Sequence, residues 1–154
     1  MAKFNEHDAL KLAIEAAKKS PCSKSKRGVV IWASFPSSAA PVLGFNGPPP
    51  GFTCYGTEVC RESCSKICVH AEIRALMKAS REHTDLLHVK VQGGAAVASG
   101  PPSCPHCSKS ILDSPIRRVW LLHETGLRLY SADDFHVQTL LNCDLPLTRD
   151  GQEE

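Results

Sequence analysis

Residues 70 to 107 read HAEIRALMKASREHTDLLHVKVQGGAAVASGPPSCPHC, and the order of elements in this stretch decides the fold. Ile73, Leu76, Met77 and Ala79 fall on one face at helical spacing, which predicts a helix from His70 to about Glu82. Leu86 to Val91 predicts a strand. Gly93-Gly94 then turns the chain toward a short stretch, Ala95 to Ala98, and the run from Gly100 to Ser103 breaks structure again. Cys104 to Asp113 predicts a second helix, because Pro105 is tolerated in a first turn and Ile111 and Leu112 offer apolar contacts. Helix, strand and helix in succession indicate an α/β layer fold.

The flanking sequence continues the alternation. Ala9, Leu10, Leu12, Ala13, Ile14, Ala16 and Ala17 recur at helical spacing between His7 and Lys19, and Ser20-Pro21 ends that run. Gly28 to Ala33 and Ala40 to Phe45 read as two strands, with the turn at Pro36 between them. After the second helix come Val119 to Leu122 and Leu127 to Tyr130 as strands, then a closing helix from Asp133 to Leu141. With 154 residues the chain has the length of one ordinary domain, expected over residues 1–147, with residues 148–154 as a flexible tail. The segment 52–69 is an irregular loop of a length that usually carries a function or a metal.

That loop holds four of the eight cysteines, about 5% of the chain and several times what packing requires. Met1 to Ser20 carries charges throughout and shows no secretory leader, so a cytoplasmic, reducing compartment is expected. In such a compartment clustered thiols read as metal ligands or catalytic groups before disulfides. No run is long enough to span a bilayer. Net charge is +2 with 22% charged residues, too mild for a polynucleotide partner, although Lys24, Lys26 and Arg27 form a basic group that could serve a single phosphate.

Two segments carry the chemistry: His70-Ala71-Glu72 and Cys104-Pro105-His106-Cys107, each at a predicted helix start. Cysteines at i and i+3 lie on one side of a helical turn, so two thiolates can grip one tetrahedral zinc with His70 as third ligand. Three protein ligands leave a fourth position for water, the mark of a catalytic rather than a structural site. Glu72 is then the proton carrier. Alone, Cys-Pro-His-Cys is also a thiol oxidoreductase sequence, in which a helix N-terminus depresses the first thiol's pKa. That reading leaves His70, Glu72 and the upstream cysteines unexplained.

The chain resembles the zinc-dependent cytidine/deoxycytidylate (dCMP) deaminase family. His-x-Glu followed by Cys-x-x-Cys is that family's zinc signature, with Ser103 here at the place of its usual proline. Cys22-Ser-Lys-Ser-Lys-Arg-Gly-Val-Val-Ile31, Gly44-Phe-Asn-Gly-Pro-Pro-Pro-Gly-Phe-Thr-Cys54, Thr57-Glu-Val-Cys60 and Cys68-Val-His-Ala-Glu72 follow in the family's order. The resemblance implies a cytidine deaminase-like αβα three-layer sandwich around a mixed, about five-stranded sheet. It implies Glu72 as proton shuttle, Asn46 near the sugar or base, and the backbone at Ala71 on the pyrimidine carbonyl. It also implies a homo-oligomer. Lys24, Trp120 and His123 are further candidates for the substrate pocket. Cys54, Cys60, Cys64 and Cys68, spaced by six, four and four positions, with Cys22 as a fifth candidate, suggest a second, structural zinc that fixes the loop.

The expected reaction is hydrolytic deamination of a cytosine nucleotide or nucleoside, dCMP to dUMP and ammonia first, with zinc-activated hydroxide attacking C4. Another aminated base, a modified pyrimidine or a single-stranded polynucleotide are the rival substrates. The last would need an aromatic and basic strip that the sequence lacks.

Overall fold

Val29, Val30 and Ile31, all fully buried, form the middle of strand β1 (Lys26–Trp32), an inner strand of a mixed sheet. The computed structural model describes residues 3–22, 24–59, 64–99 and 104–147. β1 pairs antiparallel with β2 (Val42–Phe45) on one side and with β3 (Asp85–Gln92) on the other. β3 pairs in parallel with β5 (Arg118–His123), which pairs antiparallel with β6 (Gly126–Ser131). The path is β2-β1-β3-β5-β6, and a short β4 (Ala95–Val97) shares the free end of β3 beyond β5.

Helices cover both faces. Helix α1 (Glu6–Lys18) starts at Asn5, whose side chain accepts from the His7 and Asp8 amides while Asp8 accepts from the Asn5 amide, a capping box. Its buried Ala9, Ala13 and Ala17 pack on Val30, Trp32, Leu87, Val89 and Val91. The opposite face carries α3 (Ala71–Leu76), α4 (Pro105–Asp113) and α5 (Ala132–Asn142), packed on Val29, Ile31, Leu86, Val119 and Leu121. Neighbours along a strand therefore look into different layers, as the pleat requires.

Two glycines allow the helices to sit this close. A Cβ on Gly28 would lie 2.1 Å from the Ala13 carbonyl oxygen, and one on Gly44 would lie 2.5 Å from the Ala71 oxygen and 2.7 Å from the Ala75 nitrogen. Gly28 thus seats α1 on one face, and Gly44 seats α3 on the other. Arg74 of α3 adds three hydrogen bonds, donating to the carbonyls of Phe45, Gly47 and Pro48 at 3.0 Å each. The end of β2 and the start of α3 become one unit.

The helix expected from His70 to about Glu82 is shorter than its apolar spacing suggests, ending at Leu76. The reason lies in residues 80–83. The Ser80 amide donates to His83 Nδ1 at 2.8 Å instead of to a helical carbonyl, and the buried His83 ring donates from Nε2 to Ala40 O at 2.9 Å. That turn delivers the chain into β3. Within the segment 52–69, residues Cys64–Ile67 form a short helix α2, and Val69 bridges to Gly47. The tail, residues 148–154, lies outside the described residues.

Candidate active site

His70 is the N-cap of α3 and Cys104 the N-cap of α4, both with extended backbone just before the first turn. His70 makes no side-chain cap bond, so its ring is available to the neighbouring helix. His70 Nδ1 lies 3.1 Å from Cys107 Sγ and 3.3 Å from Cys104 Sγ, and the two sulfurs are 3.3 Å apart. Pro105, in the first turn of α4, supplies no amide that would need a partner.

The electrostatics favour thiolate at this place. Cys104 shares hydrogen bonds with the Cys107 sulfur and with His70, and accepts from the Cys107 amide at 3.4 Å, which together hold its pKa down to about 4. Cys107 is pushed upward by its bond with Cys104 and by full burial beside the Glu72 carboxylate. His70 is raised above the usual imidazole value by its bond to Cys104, against the effect of burial.

Two sulfurs and one imidazole nitrogen are a zinc donor set. Zn–S of about 2.3 Å and Zn–N of about 2.0 Å imply tetrahedral ligand edges of roughly 3.5 to 3.8 Å, a few tenths of an ångström wider than this triangle. The residues fit the ion with a small outward adjustment. Among the described residues this is the one group of three or more His, Cys, Asp or Glu whose ligand atoms lie within 4.8 Å of one another.

Glu72, in the first turn of α3, is 5% exposed. Its carboxylate lies beside the Cys107 thiol, and Oε1 lies 4.0 Å from His88 Nε2. His88 has the largest part of its downward pKa shift from burial, with Glu72 opposing. Burial also lowers the Arg27 pKa, again with Glu72 opposing. A carboxylate buried beside a thiol and an imidazole can exchange a proton locally without bulk water.

The remaining expected residues divide by position. Asn46 is buried, and its amide is used on both sides: Oδ1 accepts from the Arg27 amide and Nδ2 donates to Ser25 O, each at 2.8 Å. Ala71 lies at the first position of α3, where its amide has no intrahelical acceptor. Lys24 is exposed in the α1–β1 connection. His123 ends β5 with Nε2 2.8 Å from the Tyr130 hydroxyl. Trp120 is not brought to the other residues. It packs with the α1 cluster on the opposite face of the sheet, and its indole donates to Asp85 at 3.2 Å.

Of the candidate structural-zinc thiols, Cys22 and Cys68 are buried and Cys54 is half-buried. Pro21 lies against Gly47, which pairs with Val69, so Cys22 and Cys68 flank one contact. Cys64 begins α2, and Cys60 lies outside the described residues.

His88 was not a candidate from sequence. The available signal was alternation: in Leu86-Leu87-His88-Val89-Lys90-Val91 two polar residues interrupt one face of an otherwise apolar strand. That face looks into the site.

The profile of the cytidine and deoxycytidylate deaminase zinc-binding region matches residues 4–123. The chain belongs to this family. Its members are zinc-binding hydrolytic deaminases, and the six-stranded mixed sheet between helices is their fold. The cytidine deaminase from Burkholderia pseudomallei has a similar structure, with a TM-score of 0.60 at 19% identity over 86% of this chain and 96% of that one. The cytidine deaminase from Mycobacterium tuberculosis gives 0.55 at 14% identity over 86% and 94%. The dCMP deaminase from cyanophage S-TIM5, in complex with dCMP and dUMP, gives 0.52 at 24% identity over 74% and 77%. None of the curated proteins matches the chain at a significant level. Among the described residues no helix is long and apolar enough to cross a membrane.

Proposed function

We propose that the protein is a zinc-dependent hydrolytic deaminase of a small cytosine nucleotide or nucleoside, with dCMP to dUMP as its first reaction. The observation that carries this is the convergence of His70, Cys104 and Cys107 beside the buried Glu72. His70, Cys104 and Cys107 would hold the ion. When bound there, zinc supplies Lewis acidity and makes water a nucleophile near neutral pH.

The chain's own residues manage the proton. Glu72 takes a proton from the attacking water and gives it to ring N3, which leaves C4 electrophilic. As C4–O forms and C4–N breaks, Glu72 carries a second proton to the exocyclic amine, which departs as ammonia. Water is consumed and the 4-amino group becomes a carbonyl. Burial keeps His88 from charging, so it does not compete with Glu72 as the acid. The Ala71 amide, at the positive end of α3, is placed for the pyrimidine 2-carbonyl. Asn46 holds the neighbouring β1 edge at the sugar side, with Lys24 and His123 as rim contacts.

A second, structural zinc on thiols of the segment 52–69 with Cys22 is part of this proposal, supported by the common contact that Cys22 and Cys68 flank. Thiol ligands suit a cytoplasmic setting. A homo-oligomer is supported by an open groove of about 620 Å³ between α3 and α4, where Leu76, Met77 and Ile116 lie and Met77 is 73% exposed.

The test is ammonia release from cytosine, cytidine, deoxycytidine, dCMP, adenosine and guanine, with zinc counted per chain. Release from a cytosine nucleotide or nucleoside is expected. A clear purine preference overturns the pyrimidine assignment, and one zinc per chain removes the second site.

A further inference from the structure

Lys24, Lys26 and Arg27 are indistinguishable by sequence, but the sheet separates them. Gly28 faces α1, so its neighbour Arg27 faces the opposite layer, the one that holds His70 and Glu72. Arg27 registers across the strands with Lys90, two residues beyond His88 on the same face of β3. Lys26 is exposed and on the other face, and Lys24 is exposed in the preceding bend.

The Arg27 backbone is clamped from both sides by Asn46, whose Oδ1 accepts from the Arg27 amide and whose own amide donates to Arg27 O at 3.4 Å. The side chain is only partly exposed, and among the described residues its one hydrogen bond is a long one, from Nε to Ser25 Oγ at 3.5 Å. No carboxylate of the described residues lies within ion-pair distance of it. The Glu72 carboxylate acts on this guanidinium from beyond ion-pair distance, which leaves its fork open to planar or tetrahedral oxyanions; a guanidinium grips these with two parallel N–H bonds. The neighbouring Lys90 adds a second positive charge on the same floor.

We infer that Arg27, held by Asn46 and flanked by Lys90, binds an oxyanion carried by the substrate and makes this site select anionic over neutral cytosine compounds. This rests on the deaminase reading and sharpens it. The oxyanion is either a phosphate ester on the sugar or a carboxylate on the base. Arg27 is a specificity residue in this account, while Glu72 remains the proton carrier.

The experiment compares kcat/KM for dCMP, 5-carboxydeoxycytidine and deoxycytidine in the zinc-loaded protein, its Arg27→Met variant and its Arg27→Lys variant. Binding of dUMP and of inorganic phosphate is measured by calorimetry on the same samples. The wild type is expected to prefer one anionic substrate over deoxycytidine by ~10-fold to ~100-fold, the range of a charged hydrogen-bonded contact. That preference should collapse toward unity in Arg27→Met, mainly through KM, and return in part in Arg27→Lys. Which anionic substrate is preferred identifies the source of the oxyanion.

Equal kcat/KM for all three substrates in the wild type, or a preference untouched by Arg27→Met, overturns the inference while leaving the deaminase reading intact. Arg27-dependent dUMP or phosphate binding without deamination of any cytosine compound supports the inference and sinks the deaminase reading instead. Loss of neither binding nor preference in a variant with normal zinc content overturns it without appeal to misfolding.

Discussion

Gly44→Ala tests whether the seat of α3 on β2 sets the geometry of the site. The added Cβ would stand 2.5 Å from the Ala71 oxygen, and ordinary contact begins near 3.4 Å, so α3 must retreat by about 0.9 Å or the strand must bend away. The obstacle is backbone, which has no rotamer to yield. Overpacking of this kind costs about 1 to 3 kcal/mol, which lowers Tm by roughly 3 to 10 °C in a chain of this size. The consequence for chemistry is larger. His70 and Glu72 ride on the first turn of α3, while Cys104 and Cys107 ride on α4, so the shift moves one half of the site against the other. Ligand distances tolerate about 0.2 Å, and a misplacement near 1 Å lowers turnover by on the order of 100-fold. Calorimetry, zinc content after dialysis and ammonia release on one preparation give the answer. A Gly44→Ala protein with Tm, zinc and turnover of the wild type would refute the argument.

Further expectations follow from other elements. Asn5→Ala removes the α1 capping box on the sheet face away from the site, and should lower Tm by a few degrees, from a loss of about 1 kcal/mol, with kcat/KM unchanged. Arg74→Met leaves the carbonyls of Phe45, Gly47 and Pro48 without their charged donor; denaturant unfolding should show a loss of about 3 kcal/mol, and Arg74→Lys should recover part of it. In the metal-free protein Cys104, with its pKa lowered to about 4, is thiolate at every pH above that value, so iodoacetamide should label it from pH 5 upward. Cys107 is shifted the other way and buried, so peptide mapping should find it unlabelled over the same range; equal labelling of both would contradict the assigned hydrogen bonding.

How much of this was legible in the chain depends on which kind of order is asked for. His70 and Cys104 could be found because both ligands are N-caps, and an N-cap is announced by local sequence: Pro105 after Cys104, and an apolar helical pattern after His70. The strands were legible from Val29, Val30 and Ile31 and from Val119 to Leu122. Which way a side chain points from such strands was not. Trp120 sits in an apolar run where neither parity is marked as inner, and only the pairing of β5 with β3 and β6 puts its indole on the α1 side. The same pleat brings His88 beneath Glu72 and singles out Arg27 from two lysines, outcomes fixed by register between β1 and β3. The early end of α3 needed a tertiary fact, since His83 reaches Ala40 across the β2 side of the fold.

The central claim is that a buried carboxylate beside a His/Cys/Cys zinc site moves the protons of a hydrolytic deamination, and Glu72→Gln tests it most directly. The substitution keeps shape and leaves His70, Cys104 and Cys107 in place, so zinc content should match the wild type. Ammonia release from the preferred cytosine substrate should fall by about 100-fold to 10,000-fold, the range of a lost general acid–base group. A zinc-loaded Glu72→Gln protein that deaminates within about tenfold of the wild type would contradict the account.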